Sequence, residues 1–409
     1  MLALSPAPDG TGGTGGIAGR RVVITGLGVV ASCGVGPEAF WQGLLAEAPV
    51  GRERPVTGFD ASGLFGPKEV RRADRFLQMA VGAAEQAVQG AGGIEAFRGD
   101  PERAGSYIGT GVGGFQTLCE QDRILLEKGP GRVSPFLVPG MMCNRASAEI
   151  SMRLGMRGPC ECTVTACAAG TQSIANAARL IATGRCDVMV AGGSEAPLCD
   201  LGVAGFANMT ALTRCGISRP FDVARDGFVI GEGAGAVVLE ERSRALARGA
   251  HVYAEIAGAA STADAHHVTA PAPDGGGAAR CMELALADAQ ISASQVTHIN
   301  AHGTSTPLND AAEAEAIHKV FGSPGPAVTS IKGVIGHTLG AAGAIEAVAV
   351  ALSIEHGLIP PTAGTKNVDP SCEIDVVTGE PRKWVPGPVV SNSFGFGGHN
   401  GSLVIVPAA

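Results

Sequence analysis

The 409-residue sequence has few aromatic and few charged residues. Phe, Trp and Tyr together make up 4% of the chain and Asp, Glu, Lys and Arg 17%, whereas hydrophobic residues reach 45%. This composition excludes a disordered chain and predicts a globular protein with an aliphatic core. The 61 glycines indicate many tight turns and close packing of helices against a sheet.

Positive charge is also scarce, since 30 Lys and Arg residues stand against 38 Asp and Glu, giving a formal net charge of −8. A field of this sign does not attract nucleic acid or an anionic membrane, so neither partner is predicted. Residues 1–19 lack a basic segment followed by an apolar one and are predicted to form a flexible leader. No apolar run is expected to reach the length of about 18 residues that spans a bilayer, and a cytoplasmic protein is predicted.

The eleven cysteines do not follow the regular spacing of a disulfide framework. An odd number of cysteines in a long chain is typical of a reducing compartment. Cys160 and Cys162 form one C-x-C pair, but no second Cys or His pair at zinc spacing accompanies it. No metal site is therefore predicted.

Strand and helix patterns alternate along the chain, which indicates an α/β fold with a mostly parallel sheet. Buried-strand patterns cover 20–30, 186–196 and 233–241, with helical patterns between them. After Ala250 the same order of elements begins again. We expect two βα-rich halves, 20–250 and 251–409.

Cys167 lies where a strand-like run meets a helical one. Val164 and Thr165 suit an extended strand, and an Ala-rich helix is expected from Ala168 onward. The free N–H groups and the dipole at a helix start favour thiolate over thiol, so we expect a lowered pKa and a nucleophilic sulfur. The alternative is a small buried hydrophobic side chain.

Three further segments combine glycine with polar side chains near strand ends: 300–310 with His302, 330–347, and 391–402. Ligands of α/β sheets bind at the carboxyl ends of strands, so these segments are candidates to meet Cys167 in one site. A hydrogen-bonded structural role is the alternative for His302.

The segment 330–347 contains Lys332, His337 and Glu346. His337 could instead cap a helix, and Lys332 could be solvated. Glu346 lies on an apolar helix, where an unpaired carboxylate is unfavourable, so we expect a buried cation beside it. Lys332 is the natural candidate.

Four ordered motifs resemble those of the elongating (type II) β-ketoacyl-acyl carrier protein (ACP) synthases: TACAAG, NAHGTSTPLND, KGVIGHTLGAAGAIE and NSFGFGGHNGS. The resemblance extends to RRVVITGLGVV and SRPFDVARDGFVIGEGAGAVVLE, and so covers nearly the whole chain after the leader. It implies a thiolase fold, with two pseudo-equivalent halves in five α/β/α/β/α layers. It also implies a homodimer, with a heterodimer of related subunits as the alternative.

The resemblance implies a decarboxylative Claisen condensation. Cys167 takes an acyl group from acyl-ACP, and malonyl-ACP then loses CO2 and attacks it. His302 and His337 stabilise the enolate, while Lys332, paired with Glu346, supports the site. The backbone N–H groups of Cys167 and Phe396 form the oxyanion hole.

The family also implies how the substrate arm is held. Thr304 and Thr306 match positions that hydrogen-bond pantetheine, although capping of a local turn is the alternative. Phe394 and Phe396 are candidates to gate the acyl pocket. The 4'-phosphopantetheine group arrives on the carrier protein, so no resident cofactor is expected.

Carrier-protein docking is expected at GPKEVRRADRF, where Lys68, Arg71, Arg72 and Arg75 lie close together. A helix that begins early enough places Arg71 and Arg75 on one face. The alternative is a solvated, salt-bridged surface.

Two related classes of enzyme are disfavoured because the sequence lacks residues that they need. A thiolase would need a second cysteine in a late C-x-G loop, and a CoA-primed initiating synthase would carry Cys, His and Asn rather than Cys, His and His. A non-catalytic partner subunit, like a chain-length factor, would lack Cys167. The stretch 209–222 looks shorter than usual in the family, which bears on the acyl pocket.

Overall fold

The computed structural model describes residues 19–97, 99–323 and 325–408, so residues 1–18 of the predicted leader lie outside it. The strands are β1 Val22–Ala31, β2 Gly34–Val35, β3 Glu53–Arg54, β4 Ala104–Gly109, β5 Cys160–Glu161, β6 Val188–Glu195, β7 Ile230–Gly231, β8 Gly233–Glu241, β9 Ala254–Ala263, β10 His298–Asn300, β11 Ala327–Thr329, β12 Leu358–Ile359, β13 Asp375–Val376, β14 Arg382–Lys383, β15 Val389–Gly395 and β16 His399–Pro407. The α-helices are α1 Pro37–Leu44, α2 Pro67–Val70, α3 Arg75–Gly90, α4 Phe115–Lys128, α5 Leu137–Met141, α6 Arg145–Leu154, α7 Ala169–Ala182, α8 Asp200–Asn208, α9 Arg242–Ala247, α10 Gly276–Ala289, α11 Pro307–Phe321, α12 Lys332–Ile335 and α13 Ala342–His356.

The main sheet repeats one strand pattern twice. Its N-terminal half runs β5-β4-β6-β8-β1 and its C-terminal half β11-β10-β15-β16-β9, with β13 at the outer edge. If the strands of each half are renumbered in chain order, both halves read 3-2-4-5-1. A short antiparallel pairing of β1 with β9 joins the halves. The two halves are thus equivalent in topology.

The sheet is mixed, and the prediction of a mostly parallel sheet was wrong. In each half the pairs around the second strand are parallel. Strands β8 and β16 are each antiparallel to both of their neighbours. The chain reverses between β6 and β8, and again between β15 and β16, without a crossover helix. The segments 196–232 and 396–398 therefore leave and return at the same sheet edge.

Three large apolar clusters lie between the five layers. The central cluster contains the buried faces of α7 and α13, which lie between the two halves of the sheet. A second cluster packs α3 and α6 on the outer face of the N-terminal half, and a third packs α10 and α11 on the C-terminal half. Side chains of β8 alternate accordingly: Val237 and Leu239 face the central cluster, and Val238 faces the outer one.

The two central helices begin in close contact because glycine lies where they meet. A Cβ atom at Gly170 of α7 would lie 2.8 Å from the backbone nitrogen of Ala344 in α13. One at Gly343 would lie 1.9 Å from Oγ1 of Thr171. Larger residues would push the helices apart, so these glycines bring the two helix starts together.

The stretch Leu339–His356, which includes α13, has the length and mean hydropathy, 1.3, of a membrane span. The expectation that no apolar run reaches this length was therefore wrong. The stretch is 89% buried within the protein. A helix surrounded by sheet on two sides is apolar all round for that reason.

Candidate active site

Cys167 lies in a 3-10 turn, Ala166–Ala168, that leads directly into α7. Ala166 before it has φ of 48°, in the left-handed region that residues other than glycine rarely adopt. The Cys167 side chain is buried, with 6% exposure. The sequence predicted this position at the start of the helix.

Two histidines from the C-terminal half meet this sulfur. Nε2 of His337 lies 3.0 Å from Sγ of Cys167. The His302 and His337 ring centroids are 5.3 Å apart, with their planes nearly perpendicular. Side-chain donor atoms of all three residues lie within 4.8 Å of one another. The structure therefore brings the three predicted residues into one cluster.

The expectation of a lowered thiol pKa was wrong. Burial raises the pKa of the Cys167 thiol to about 12, and this outweighs the lowering effects of the Lys332 cation and of the backbone N–H groups of Phe396 and Cys167. The thiol is therefore protonated at neutral pH. It becomes a nucleophile only if its proton is removed during attack, and His337 is placed to accept it.

Both imidazoles are neutral at physiological pH. Burial first, and then the positive charge of Lys332, hold the pKa values of His302 and His337 well below their ordinary value. A neutral ring offers one N–H donor and one lone pair, so it can accept a proton or stabilise an anion. Phe394 and Phe228 contact the two rings edge-on and help to exclude water.

Lys332 and Glu346 form an ion pair in which both side chains are fully buried. This is the pairing expected from the carboxylate on an apolar helix. Burial raises the pKa of Glu346, while Lys332 opposes that rise. Since the cation lowers the pKa values of both histidines and of Cys167, it acts on the whole cluster through its field.

The hairpin turn between β15 and β16 crosses above the thiol. The backbone N–H of Phe396 lies close enough to the Cys167 sulfur to lower the pKa of its thiol. Gly395 permits this approach, because a Cβ there would lie 2.8 Å from the Thr165 carbonyl oxygen and 3.0 Å from the Cys167 nitrogen. The two backbone N–H groups implied for an oxyanion hole are therefore adjacent.

A cavity of about 1230 Å³ opens from these residues to the surface. Thr304 and Thr306 line it and are joined by a hydrogen bond of 2.9 Å between their hydroxyls. Thr306 precedes α11, but its side chain does not cap that helix. Thr306 therefore does not cap this helix, while the bond between the two hydroxyls lies within the local turn and both hydroxyls lie beside the cavity.

Aromatic rings form one wall of the cavity. Phe394 and Phe396 line it, as does Phe206 of α8. The Phe206 ring centroid lies 6.5 Å from that of Phe396 and 5.9 Å from that of Phe228. Phe394 lies at the end of β15, and the other rings come from the two segments that leave and return at the same sheet edge.

Two buried carboxylates were missed by the sequence analysis. Glu195, at the end of β6, accepts hydrogen bonds from Thr110 and from the backbone N–H groups of Gly111, Val112 and Gly340. Burial raises its pKa to about 7, and its charge raises the pKa of Cys167. Like Glu346, Glu195 is a carboxylate within an apolar stretch of sequence, and that signal could have found it.

Glu313 of α11 is the second missed carboxylate. It accepts hydrogen bonds from the backbone N–H groups of His302, at 2.8 Å, and Gly303, at 2.7 Å. Burial raises its pKa to about 7. Glu313 thus fixes the loop that carries His302, although it does not contact the ring.

The four basic residues expected at a docking surface are not equivalent. Helix α3 begins at Arg75, with Asp74 as its N-cap, so Arg71 lies in the preceding turn and does not share a helical face with Arg75. Arg75 is half-buried and donates to the Val56 carbonyl. The Lys68, Arg71 and Arg72 side chains are exposed.

Two exposed arginines at the cavity were not identified from the sequence. Arg52 and Arg214 line its opening. Each lies in a loop without a recognisable motif, so no local pattern indicated that the fold would bring them together.

One thiol and two imidazoles could also ligate zinc by donor type. A ligating histidine normally donates its second ring nitrogen to a neighbouring acceptor. The Nδ1 atoms of His302 and His337 are buried without a hydrogen-bond partner among the described residues. The buried Lys332 cation is also unfavourable beside a metal, so the cluster fits a nucleophile with two polar partners better.

Comparison with known proteins identifies the family. Residues 56–245 match the model of the β-ketoacyl synthase N-terminal domain, and residues 253–366 match that of the C-terminal domain. The chain is 44% identical over 405 residues to a 3-oxoacyl-[acyl-carrier-protein] synthase 2 from Synechocystis sp., covering 94% of this chain and 97% of the relative.

Solved structures agree with the sequence matches. The ishigamide ketosynthase/chain length factor superposes with a TM-score of 0.89 at 36% identity, over 96% of this chain and 100% of that chain. A ketosynthase bound to the hexaketide, in complex with its type II polyketide synthase acyl-carrier protein, superposes with a TM-score of 0.86 at 34% identity, again over 96% and 100%. The predicted thiolase fold and the family resemblance are confirmed, and the chain belongs to the β-ketoacyl synthase family.

Proposed function

We propose that this protein is an elongating β-ketoacyl-ACP synthase that lengthens an acyl chain by two carbons. The observation that carries the proposal is the 3.0 Å contact between His337 Nε2 and Cys167 Sγ, beside His302 at the inner end of a large cavity. The relative from Synechocystis sp. carries a name for this activity, which supports it.

In the first half-reaction, the Cys167 sulfur attacks the thioester carbonyl of acyl-ACP. His337 accepts the thiol proton through Nε2 as the carbon–sulfur bond forms, because the thiol pKa of about 12 leaves little thiolate beforehand. The tetrahedral oxyanion is held by the backbone N–H groups of Cys167 and Phe396. His337 then returns the proton to the departing pantetheine sulfur, which leaves as a thiol.

In the second half-reaction, malonyl-ACP loses CO2, and the electron pair of the broken carbon–carbon bond forms an enolate. His302 and His337 each donate an N–H to the thioester oxygen on which negative charge develops. For His337 this step needs the tautomer with the proton on Nε2, whereas the first half-reaction uses the tautomer with the proton on Nδ1. The enolate carbon attacks the acyl group on Cys167. The cysteine sulfur leaves as a thiolate and takes one proton from solvent, which replaces the proton lost with the pantetheine thiol. The products are β-ketoacyl-ACP, CO2 and free enzyme.

The buried ion pair of Lys332 and Glu346 positions the site. The Lys332 charge favours the neutral form of both histidines, which the second half-reaction requires. It also favours negative charge on the sulfur and on the enolate. The role assigned here is electrostatic, with no proton taken from substrate by Lys332.

The substrate arm enters through the cavity. We assign the Thr304 and Thr306 hydroxyls to the amide groups of pantetheine, since both face the cavity near the histidines. Phe396 gates the acyl pocket, and Phe394 packs against His302. The phosphopantetheine arrives on the carrier protein, and the proposed chemistry uses no resident cofactor or metal.

Carrier protein docks, in this proposal, on exposed cations. Lys68, Arg71 and Arg72 supply a basic surface on an otherwise acidic chain, and Arg52 and Arg214 supply two further exposed cations that line the cavity. The complex of a related ketosynthase with its acyl-carrier protein supports a macromolecular partner of this kind. Arg75 is left out because it is held internally.

We further propose that the protein is a cytoplasmic homodimer. Each chain divides into its two halves after residue 250. The matched family domains end at residue 245 and begin again at 253, which supports that boundary. Strand β5 is exposed at the edge of the sheet. Such a free edge suits pairing with a second copy of the chain.

A non-catalytic partner subunit is the alternative function. The presence of the thiol and of two neutral imidazoles in contact disfavours it. The decisive experiment incubates the purified protein with acyl-ACP of several chain lengths, then with malonyl-ACP, and measures intact masses. We expect an acyl adduct on Cys167 followed by a β-ketoacyl-ACP two carbons longer. An unmodified protein and unchanged ACP would refute the enzyme assignment.

A further inference from the structure

Two cysteine sulfurs outside the active site face each other. Cys119, in the second turn of α4, and Cys199, the residue that precedes α8, have Sγ atoms 3.8 Å apart. Both side chains are partly buried, and both thiols are free. Since a disulfide bond is about 2.05 Å long, the sulfurs need to approach by less than about 2 Å to form one.

The two helices that carry these cysteines are weakly anchored. Helix α4 has no buried residue, and α8 buries only Gly202. The helices nevertheless contact each other, because a Cβ atom at Gly202 would lie 3.1 Å from the ring of Phe115. The Gln116 side chain also donates to the Leu198 carbonyl at 3.5 Å. Helices held by so few contacts are free to make the small approach required.

Helix α8 forms part of the acyl cavity. Val203, Phe206 and Ala207 line the cavity on this side. Phe206 also packs against Phe396, which lies on the turn above the nucleophile. Any restraint on α8 therefore acts on the wall against which an acyl chain lies.

We propose that Cys119 and Cys199 form a reversible disulfide that fixes α8 to α4 and restricts movement of the cavity wall. Disulfides in a reducing compartment are typically transient and redox-sensing, which is the role assigned here. The bond itself goes beyond the proposed condensing activity and does not depend on it, while its effect on acyl chains rests on that activity.

The oxidant is a low-molecular-weight disulfide, RSSR. The Cys199 thiolate attacks one sulfur of RSSR, which forms a mixed disulfide and releases one thiol, RSH. The Cys119 sulfur then displaces the second RSH. Two protein thiols lose two electrons and two protons, and RSSR is reduced to two RSH. Burial and the neighbouring Cys199 raise the pKa of Cys119 to about 11, so little of the Cys119 thiol is ionised at neutral pH.

The test uses full-length protein with Cys167→Ala, which removes the active-site thiol. Oxidised glutathione is added, free thiols are blocked with N-ethylmaleimide, and peptides are mapped by mass. We expect a peptide pair linked through Cys119 and Cys199 that separates after reduction. With Cys119→Ser added, Cys199 should carry glutathione instead. The matched control, Cys160→Ser, changes an exposed cysteine outside the pair and should keep the link.

Modification of the exposed Cys160 and Cys215 without any link between 119 and 199 would overturn the proposal. The second measurement is amide hydrogen exchange of residues 200–208. Oxidation should slow exchange there about tenfold, reduction should restore it, and Cys119→Ser should abolish the effect. A link that forms without slowing exchange would show that the bond does not restrain α8.

Discussion

Nε2 of His337 lies 3.0 Å from Sγ of Cys167, although 170 positions separate the two residues in the chain. Each precedes the start of one of the two central helices, α7 and α13. Those helix starts meet because Gly170 and Gly343 leave no Cβ atoms between them. The distance between proton donor and acceptor is therefore set by packing in the centre of the protein.

Replacing the nucleophile should abolish acyl transfer without unfolding the protein. In Cys167→Ala we expect transfer from acyl-ACP to fall by at least about 10³-fold, because no covalent intermediate can form. Intact mass after incubation with acyl-ACP measures the adduct. Cys160→Ser, at an exposed position, is the matched control and should retain the adduct. An acyl adduct on Cys167→Ala would show that another residue is the nucleophile.

The two histidines should differ in which half-reaction they affect. His302→Ala removes one donor to the enolate, which is worth about 3 kcal/mol, so CO2 release from malonyl-ACP should slow about 10²-fold. Acylation of Cys167 should change little. His337→Ala should slow both steps, since its Nε2 also accepts the thiol proton. Equal effects of both variants on acylation would contradict this division.

Alkylation of Cys167 by iodoacetamide should report its high pKa. For a thiol with pKa of about 12, the thiolate fraction rises about tenfold per pH unit between pH 7 and 10. The rate, followed by peptide mass at Cys167, should rise with it and show no plateau. A plateau below pH 8 would reveal a stable thiolate and imidazolium pair, which this structure argues against.

Gly395→Ala should impair the oxyanion hole. The new Cβ would lie 2.8 Å from the Thr165 carbonyl oxygen and must displace the turn that carries the Phe396 N–H. We expect acylation of Cys167 to slow at least about tenfold, as for loss of part of one backbone donor. Gly205→Ala is the control, since nothing lies within 4 Å of its Cβ position. Unimpaired acylation in Gly395→Ala would exclude Phe396 as a donor.

The Lys332 and Glu346 pair should behave as a coupled unit in stability measurements. Lys332→Met leaves a buried carboxylate without its cation and should lower the free energy of unfolding by about 3–5 kcal/mol. Adding Glu346→Gln should recover part of that loss, because the unpaired charge is removed. Denaturant unfolding of both single variants and the double variant measures the coupling. A double variant less stable than Lys332→Met would contradict it.

Much of the site was predictable because its signals are local. The position of Cys167 followed from a strand-like run ending in an Ala-rich one, and the pairing of Glu346 followed from one carboxylate on an apolar helix. Both depend on residues near each other in the chain or on an evident energetic conflict. The same reasoning placed β1, β6 and β8 close to their observed bounds.

The parts that were wrong or missed depend on tertiary structure. The thiol pKa depends on how deeply the turn is buried, which a helix start alone does not indicate. The antiparallel return of β8 depends on strand pairing across the sheet. Arg71 and Arg75 failed to share a face because Asp74 caps a new helix between them. Arg52 and Arg214 meet only through folding.

After β6 the chain leaves the sheet and returns to it at the same edge. This path affects how the acyl-chain preference of the fold can change in evolution. Segment 196–232 starts and finishes beside the active site, and it carries Phe206 and Phe228. Its last residues are fixed, because Val229 and Gly231 hydrogen-bond the His337 backbone and β7 pairs with β3. The part before β7 can change in length while these bonds are kept. Preference for longer or bulkier chains can thus evolve in this excursion while the catalytic geometry is inherited intact.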